Sequence, residues 1–168
     1  MIKMLEPMMM EIQQEAITTR RVLERVPSDK LAWKPHPKSM SLGQLAIHTA
    51  TIPGRISGMA KLDEMEVPEG GFDPPHPADT KEILAAFDES LKTAKENLNG
   101  LNETAAMGTW RFTRKGKEVF AMPRVGLLRT IMLNHWYHHR GQLSVYLRLL
   151  EVPVPVIYGR SADENPFG

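Results

Sequence analysis

The chain has 168 residues, 21 Lys and Arg against 20 Asp and Glu, and no cysteine. That length suits one domain able to bury a core without staples. Missing cysteine excludes a disulfide scaffold, a Cys-ligated zinc ribbon and a protein thiol nucleophile. The near-balanced charge disfavours duplex nucleic acid, which needs many phosphate-neutralising contacts. The only dense basic run is Arg114-Lys115-Gly116-Lys117.

The first helix is predicted from about Ile2 to Arg25, with Leu5, Met8, Met9, Ile12, Ala16, Thr19 and Leu23 at three- and four-residue steps. Glu11 and Glu15 interrupt any signal-like apolar core. The Met8-Met9-Met10 run reads as plastic core or dimer surface. Pro27-Ser28 stops the helix, and residues 28–40 read as a loop with Trp33 as a hydrophobic plug. Ser41 is a good N-cap for a second helix to about Met65, with Leu45, His48, Thr49, Ile52, Ile56, Met59 and Leu62 on its stripe. Pro53 lies inside it, so a kink or break is expected near Thr49.

Residues 66–78 hold Pro68, Gly70-Gly71, Pro74-Pro75 and Pro77 and predict a long loop. Asp79 and Glu82 form a capping-box-like start to a third helix reaching about Asn99. Thr109 to Phe120 alternates and predicts a β-hairpin or extended excursion. Pro123 suits the first turn of a fourth helix running to about Leu150, its stripe being Leu128, Met132, His135, His139, Leu143, Tyr146 and Leu150. The tail, Val152 to Gly168, reads as extended coil. Four long amphipathic helices predict an all-α four-helix bundle. No run approaches the roughly 20 apolar residues of a membrane span, and cytoplasmic is the default placement.

The chemistry concentrates in His135-Trp136-Tyr137-His138-His139-Arg140-Gly141-Gln142. His135 and His139 share a helix face with β-carbons roughly 5–6 Å apart, within reach of one metal ion. A catalytic metal usually has three protein ligands and one open position. His48, on the core-facing stripe of the second helix, can supply the third if the two helices are neighbours. Taken singly, His48 reads as a satisfied polar core residue. Burying three imidazoles in a small apolar core is costly unless something such as a metal satisfies them. Zinc, nickel, copper and iron all accept neutral imidazole. His138 points off this seam and reads as a rim residue, with ligation as the alternative; His36 and His76 sit in solvated loops. Arg140 either orients an anionic substrate or cofactor group near the metal or is a surface arginine paired with the first helix. Gly141, costly inside a helix, suggests a close helix–helix approach. Trp136 and Tyr137 read as packing residues.

Three blocks carry a family resemblance, in order along nearly the whole chain: Trp33-Lys34-Pro35-His36-Pro37-Lys38-Ser39-Met40-Ser41-Leu42-Gly43-Gln44-Leu45-Ala46-Ile47-His48; Asn134-His135 with His138-His139-Arg140-Gly141-Gln142-Leu143; and Val152-Pro153-Val154-Pro155 with Tyr158-Gly159. The sequence resembles the DinB-like family of bacterial four-helix-bundle metalloproteins, also called the YfiT-like superfamily. The resemblance implies an up-down-down-up bundle, often a homodimer, with a divalent metal, commonly zinc or nickel, held by three histidines that correspond here to His48, His135 and His139. It gives no reason to expect DNA binding. Related branches transfer low-molecular-weight thiols such as bacillithiol or glutathione, or are mycothiol-dependent isomerases.

The expectation is a metal-dependent transferase in which the ion lowers the pKa of a small-molecule thiol for attack on an electrophilic substrate. A hydrolase using metal-activated water is the alternative, and it needs a carboxylate base that the histidine stripes do not provide, unless Asp63, Glu64 or Asp73 reaches in from a loop. A third reading is a non-enzymatic, metal-stabilised dimeric stress protein, which a fourth ligand at His138 would favour.

Overall fold

The computed structural model describes residues 5–167. The expected start of the first helix at Ile2 lies outside them. Within them the chain is mostly helical, with one small sheet. Helix α1 spans Glu6–Leu23 and buries Met8, Ile12, Thr19, Val22 and Leu23. Of the methionine run, Met8 is core, Met9 packs against it, and Met10 faces solvent.

Helix α2 spans Leu42–Met59. Ser41 and Gln44 close a full capping box, each side chain bonding the other's backbone N–H. The helix runs through Pro53 without breaking. The adjoining amide is satisfied from outside: Gly54 N–H donates to Ser90 Oγ at 2.8 Å. A Cβ on Gly54 would lie 2.9 Å from the Ser90 Cα and carbonyl oxygen, so α2 and α3 approach closely here. The expected close approach is not at Gly141, where a Cβ would meet nothing within 4 Å.

The second helix ends earlier than Met65. Residues Glu64–Glu66 form strand β1, which pairs parallel with β2, Thr109–Arg114. Strand β3, Lys117–Pro123, pairs antiparallel with β2 across a Lys115-Gly116 turn with positive φ at both residues. The expected hairpin is therefore the larger part of a three-stranded sheet in the order β1-β2-β3. Helix α3 spans Thr80–Asn99, with Asp79 capping Glu82 N–H; the Glu82 carboxylate accepts from Ala78 N–H, one residue beyond a strict capping box. A short helix α4, Glu103–Met107, precedes β2.

The predicted fourth helix is three consecutive helical pieces: α5 (Arg124–Leu127), a π-helical segment (Leu128–Asn134) and α6 (His135–Leu149). Pro123 closes β3 and stands at the N-cap of α5, not in its first turn. Helix α2 packs against α3, α6 and the π-helical segment, while α1 packs against α3 and α6. The tail after Leu150 is irregular, as expected, but anchored: Glu164 pairs with Arg21 and Arg25, and Asp163 pairs with Arg148.

Candidate metal centre

Helix α2 places His48 across from His135 and His139 of α6. His135 Nε2 stands 3.4 Å from His48 Nε2 and 2.7 Å from His139 Nε2. The ligand atoms of the three residues all lie within 4.8 Å of one another. Two imidazoles on one tetrahedral zinc stand about 3.3–3.4 Å apart, so the longer separation suits shared coordination. The shorter one is a hydrogen-bond distance, which without an ion requires a proton between the two nitrogens.

The surroundings keep all three rings neutral. Burial, the other two imidazoles and the Arg55 cation lower the His48 pKa to about 3. Burial and His135 lower that of His139 to about 4, against an opposing bond to Gln142. Burial also lowers that of His135, with the Ile131 carbonyl opposing and the charges of His138 and Arg55 assisting. His139 Nδ1–H donates to Gln142 Oε1 at 2.7 Å, which fixes the tautomer with its lone pair on Nε2. Nδ1 of His48 is buried without a hydrogen-bond partner, and Nδ1 of His135 has the Ile131 carbonyl beside it but outside strict hydrogen-bond geometry. Three neutral imidazoles that converge through Nε2 and are poorly satisfied by the protein are a donor set that fits a divalent ion.

The π-helical segment lies immediately before His135. Leu127, Ile131 and His135, at four-residue steps on one side of this helical stretch, all line one cavity. That cavity, of about 380 Å³, opens beside His48 and His135. Ile52, Ile56 and Met59 of α2 form one wall, and Trp110, Phe112 and Phe120 of the sheet form another. The aromatic wall follows from strand periodicity: Trp110 and Phe112 are two residues apart on β2, and Phe112 is opposite Phe120. Arg124 ties the sheet to the end of α2, donating to the Ala60 carbonyl at 2.9 Å and the Leu62 carbonyl at 3.0 Å while pairing with Asp63.

Other residues singled out in the sequence fall elsewhere. His138 is exposed and lies outside the cluster, and His36 and His76 are exposed in loops. Arg140 does not point its guanidinium into solvent. It is 1% exposed, paired with Glu15 at 2.6 Å, bonded to Thr19 Oγ1 at 3.1 Å and to the Tyr158 hydroxyl. It pairs with the first helix, as one of its two readings held, but in the interior. The arginine facing the cavity is Arg55. Its signal was its position seven residues after His48, which puts both on one side of α2. Gln142, three residues after His139, was legible in the same way as its hydrogen-bond partner.

Among the described residues no helix is long and apolar enough to cross a membrane. A family model described as "DinB family" matches residues 1–165. The chain is 28% identical over 155 residues to an uncharacterized Bacillus subtilis (strain 168) protein, YrdA, an alignment covering 89% of this chain and 85% of that one. Among solved structures, a DinB-like protein from Bacillus cereus ATCC 10987 superposes with TM-score 0.72 at 24% identity, over 94% of this chain and all of that one (100%). The DinB-like YjoA of Bacillus subtilis superposes with TM-score 0.67 at 18% identity, over 91% and 98% of the two chains. At those identities the two structures speak to the fold alone; the full-length family match identifies the chain as a member of the DinB family.

Proposed function

We propose that this protein binds one divalent metal ion, zinc or nickel, through Nε2 of His48, His135 and His139, and uses it to activate a small-molecule thiol for transfer to an electrophilic substrate. The observation that carries the reading is the convergence of exactly these three neutral imidazoles at the end of an apolar cavity. An ion held there supplies Lewis acidity, which favours the ionised form of a bound S–H group at neutral pH. The chain's own part is positional. Gln142 holds the tautomer of His139. The α2 and sheet walls cover the apolar part of a guest.

Two features favour thiol activation over hydrolysis. No carboxylate lines the cavity among the described residues, so a general base for water is missing there. Of the acids that a loop could have offered, Asp63 pairs with Arg124, Asp73 accepts from Gln44 Nε2 at 3.0 Å, and Glu64 is exposed on β1; none of the three lines the cavity. The exposed position of His138 weighs against a closed four-ligand structural site.

The test begins with elemental analysis of freshly purified wild type and His139→Ala. One equivalent of metal in the wild type and none in the variant is expected. At metal a hundredfold above Kd the wild type should gain about 2.7 kcal/mol over its chelated form, and the variant nothing. Titrating cobalt-substituted protein with low-molecular-weight thiols should then produce a saturable thiolate charge-transfer band. Equal metal content in both proteins removes His139 from the ligand set. A metal-loaded protein that no thiol perturbs overturns the transferase reading.

A further inference from the structure

We propose that the cavity takes a small organic carboxylate, with its apolar body on the Trp110, Phe112 and Phe120 wall and its carboxylate on Arg55. The other end of the ligand points toward His48 and His135 and carries the group presented to the metal; for that end alone the assignment rests on the function proposed above.

Three observations converge on it. Arg55 is the one charged side chain lining a cavity that is otherwise apolar apart from the two imidazoles. It is exposed and forms no ion pair or side-chain hydrogen bond among the described residues, so its guanidinium is open to an incoming ligand. Its described neighbour is the Phe72 ring, 5.9 Å from the guanidinium carbon, at the rim of the same cavity. An exposed guanidinium at the edge of an apolar wall is placed to take the anionic end of a ligand whose body the wall covers.

Charge and length narrow the ligand class. One guanidinium with no second cation on the wall suits a monoanion and not a phosphate ester, and its planar fork matches a carboxylate. Arg55 is two turns along α2 from His48, roughly 10 Å along the helix axis. The ligand therefore separates its carboxylate from its metal-facing group by an apolar spacer, which the three aromatic rings cover.

Calorimetric titration with 4-phenylbutyrate and its uncharged amide, 4-phenylbutyramide, tests this on chelator-treated and on zinc-loaded protein. In the wild type the acid should bind about threefold to fivefold tighter than the amide in both preparations, the ratio expected of one exposed guanidinium–carboxylate pair. Arg55→Gln should abolish the difference while leaving the affinity for the amide and the metal content unchanged. Arg55→Lys, keeping the charge without the fork, should retain part of it. Equal affinity for acid and amide in the wild type overturns the assignment, as does a preference that survives Arg55→Gln or millimolar failure of both compounds to bind. A preference that appears only with zinc places the carboxylate on the metal and equally overturns the role of Arg55. Failure to bind metal at all, with the Arg55-dependent preference intact, would refute the proposed function and leave this assignment standing.

Discussion

Two helical glycines offer a matched test of how α2 is held. Gly54 and Gly141 both lie inside helices, so replacing either by alanine gains about 0.5–1 kcal/mol from backbone entropy and propensity. At Gly141 the new methyl meets nothing within 4 Å, and that gain should appear in full. At Gly54 it would stand 2.9 Å from two Ser90 backbone atoms and 3.1 Å from Ser90 Oγ. Overpacking of this kind costs about 1–3 kcal/mol. Pushing α3 away also breaks the bond from Gly54 N–H to Ser90 Oγ, and a buried amide left unpaired costs about 1–3 kcal/mol more. Gly54→Ala should therefore destabilise by about 1–5 kcal/mol net, lowering Tm by roughly 2–20 °C, while Gly141→Ala raises it by roughly 1–4 °C. Thermal and urea unfolding followed by circular dichroism, with chelator present so that metal linkage does not contribute, measures both. A Gly54→Ala protein as stable as wild type would refute the close α2–α3 contact; a destabilised Gly141→Ala protein would show that its face is covered.

Arg140→Met should cost about 1–3 kcal/mol, because it takes the cation from the partly buried Glu15 carboxylate, which keeps the Tyr158 hydroxyl, yet leave metal stoichiometry unchanged; loss of metal with little loss of stability would return Arg140 to the site. Metal-free protein should weaken on mild acidification. The folded pKa values of His48 and His139 lie below the 6.5 of a free imidazole, so the unfolded chain takes up protons first. Their contribution is complete above about pH 6.5 and declines as pH falls toward 4. Chelator-treated melts between pH 7.5 and 5 should show that slope, and His48→Gln should flatten it; a flat wild-type profile would contradict the burial of neutral rings.

Local regularities carried much of this protein in plain view. The i,i+4 spacing of His135 and His139 placed them on one face whatever else the chain did, because helical geometry alone dictates it. Apolar periodicity marked α1, α2 and α3, the Ser41 and Asp79 caps marked two helix starts, and the alternation of Thr109 to Phe120 marked the β2–β3 hairpin. Placing His48 beside the pair needed the additional supposition that the second and last helices are neighbours, which contacts between α2 and α6 supply.

Long-range contact decided the rest. Strand β1 is three residues long, too short for a periodic signal, and exists because β2 offers it a free edge. Pro53 was expected to kink or break α2; the helix does not break, and Ser90, thirty-six positions from Gly54, takes up the amide next to the proline. Gly141 looked like a helix contact and Gly54 is one, since propensity is a property of the residue and clearance a property of its neighbours. Arg140 and Arg55 divide on the same principle. Both are arginines on helices, and only the fold determines which finds a buried carboxylate and which is left facing the cavity.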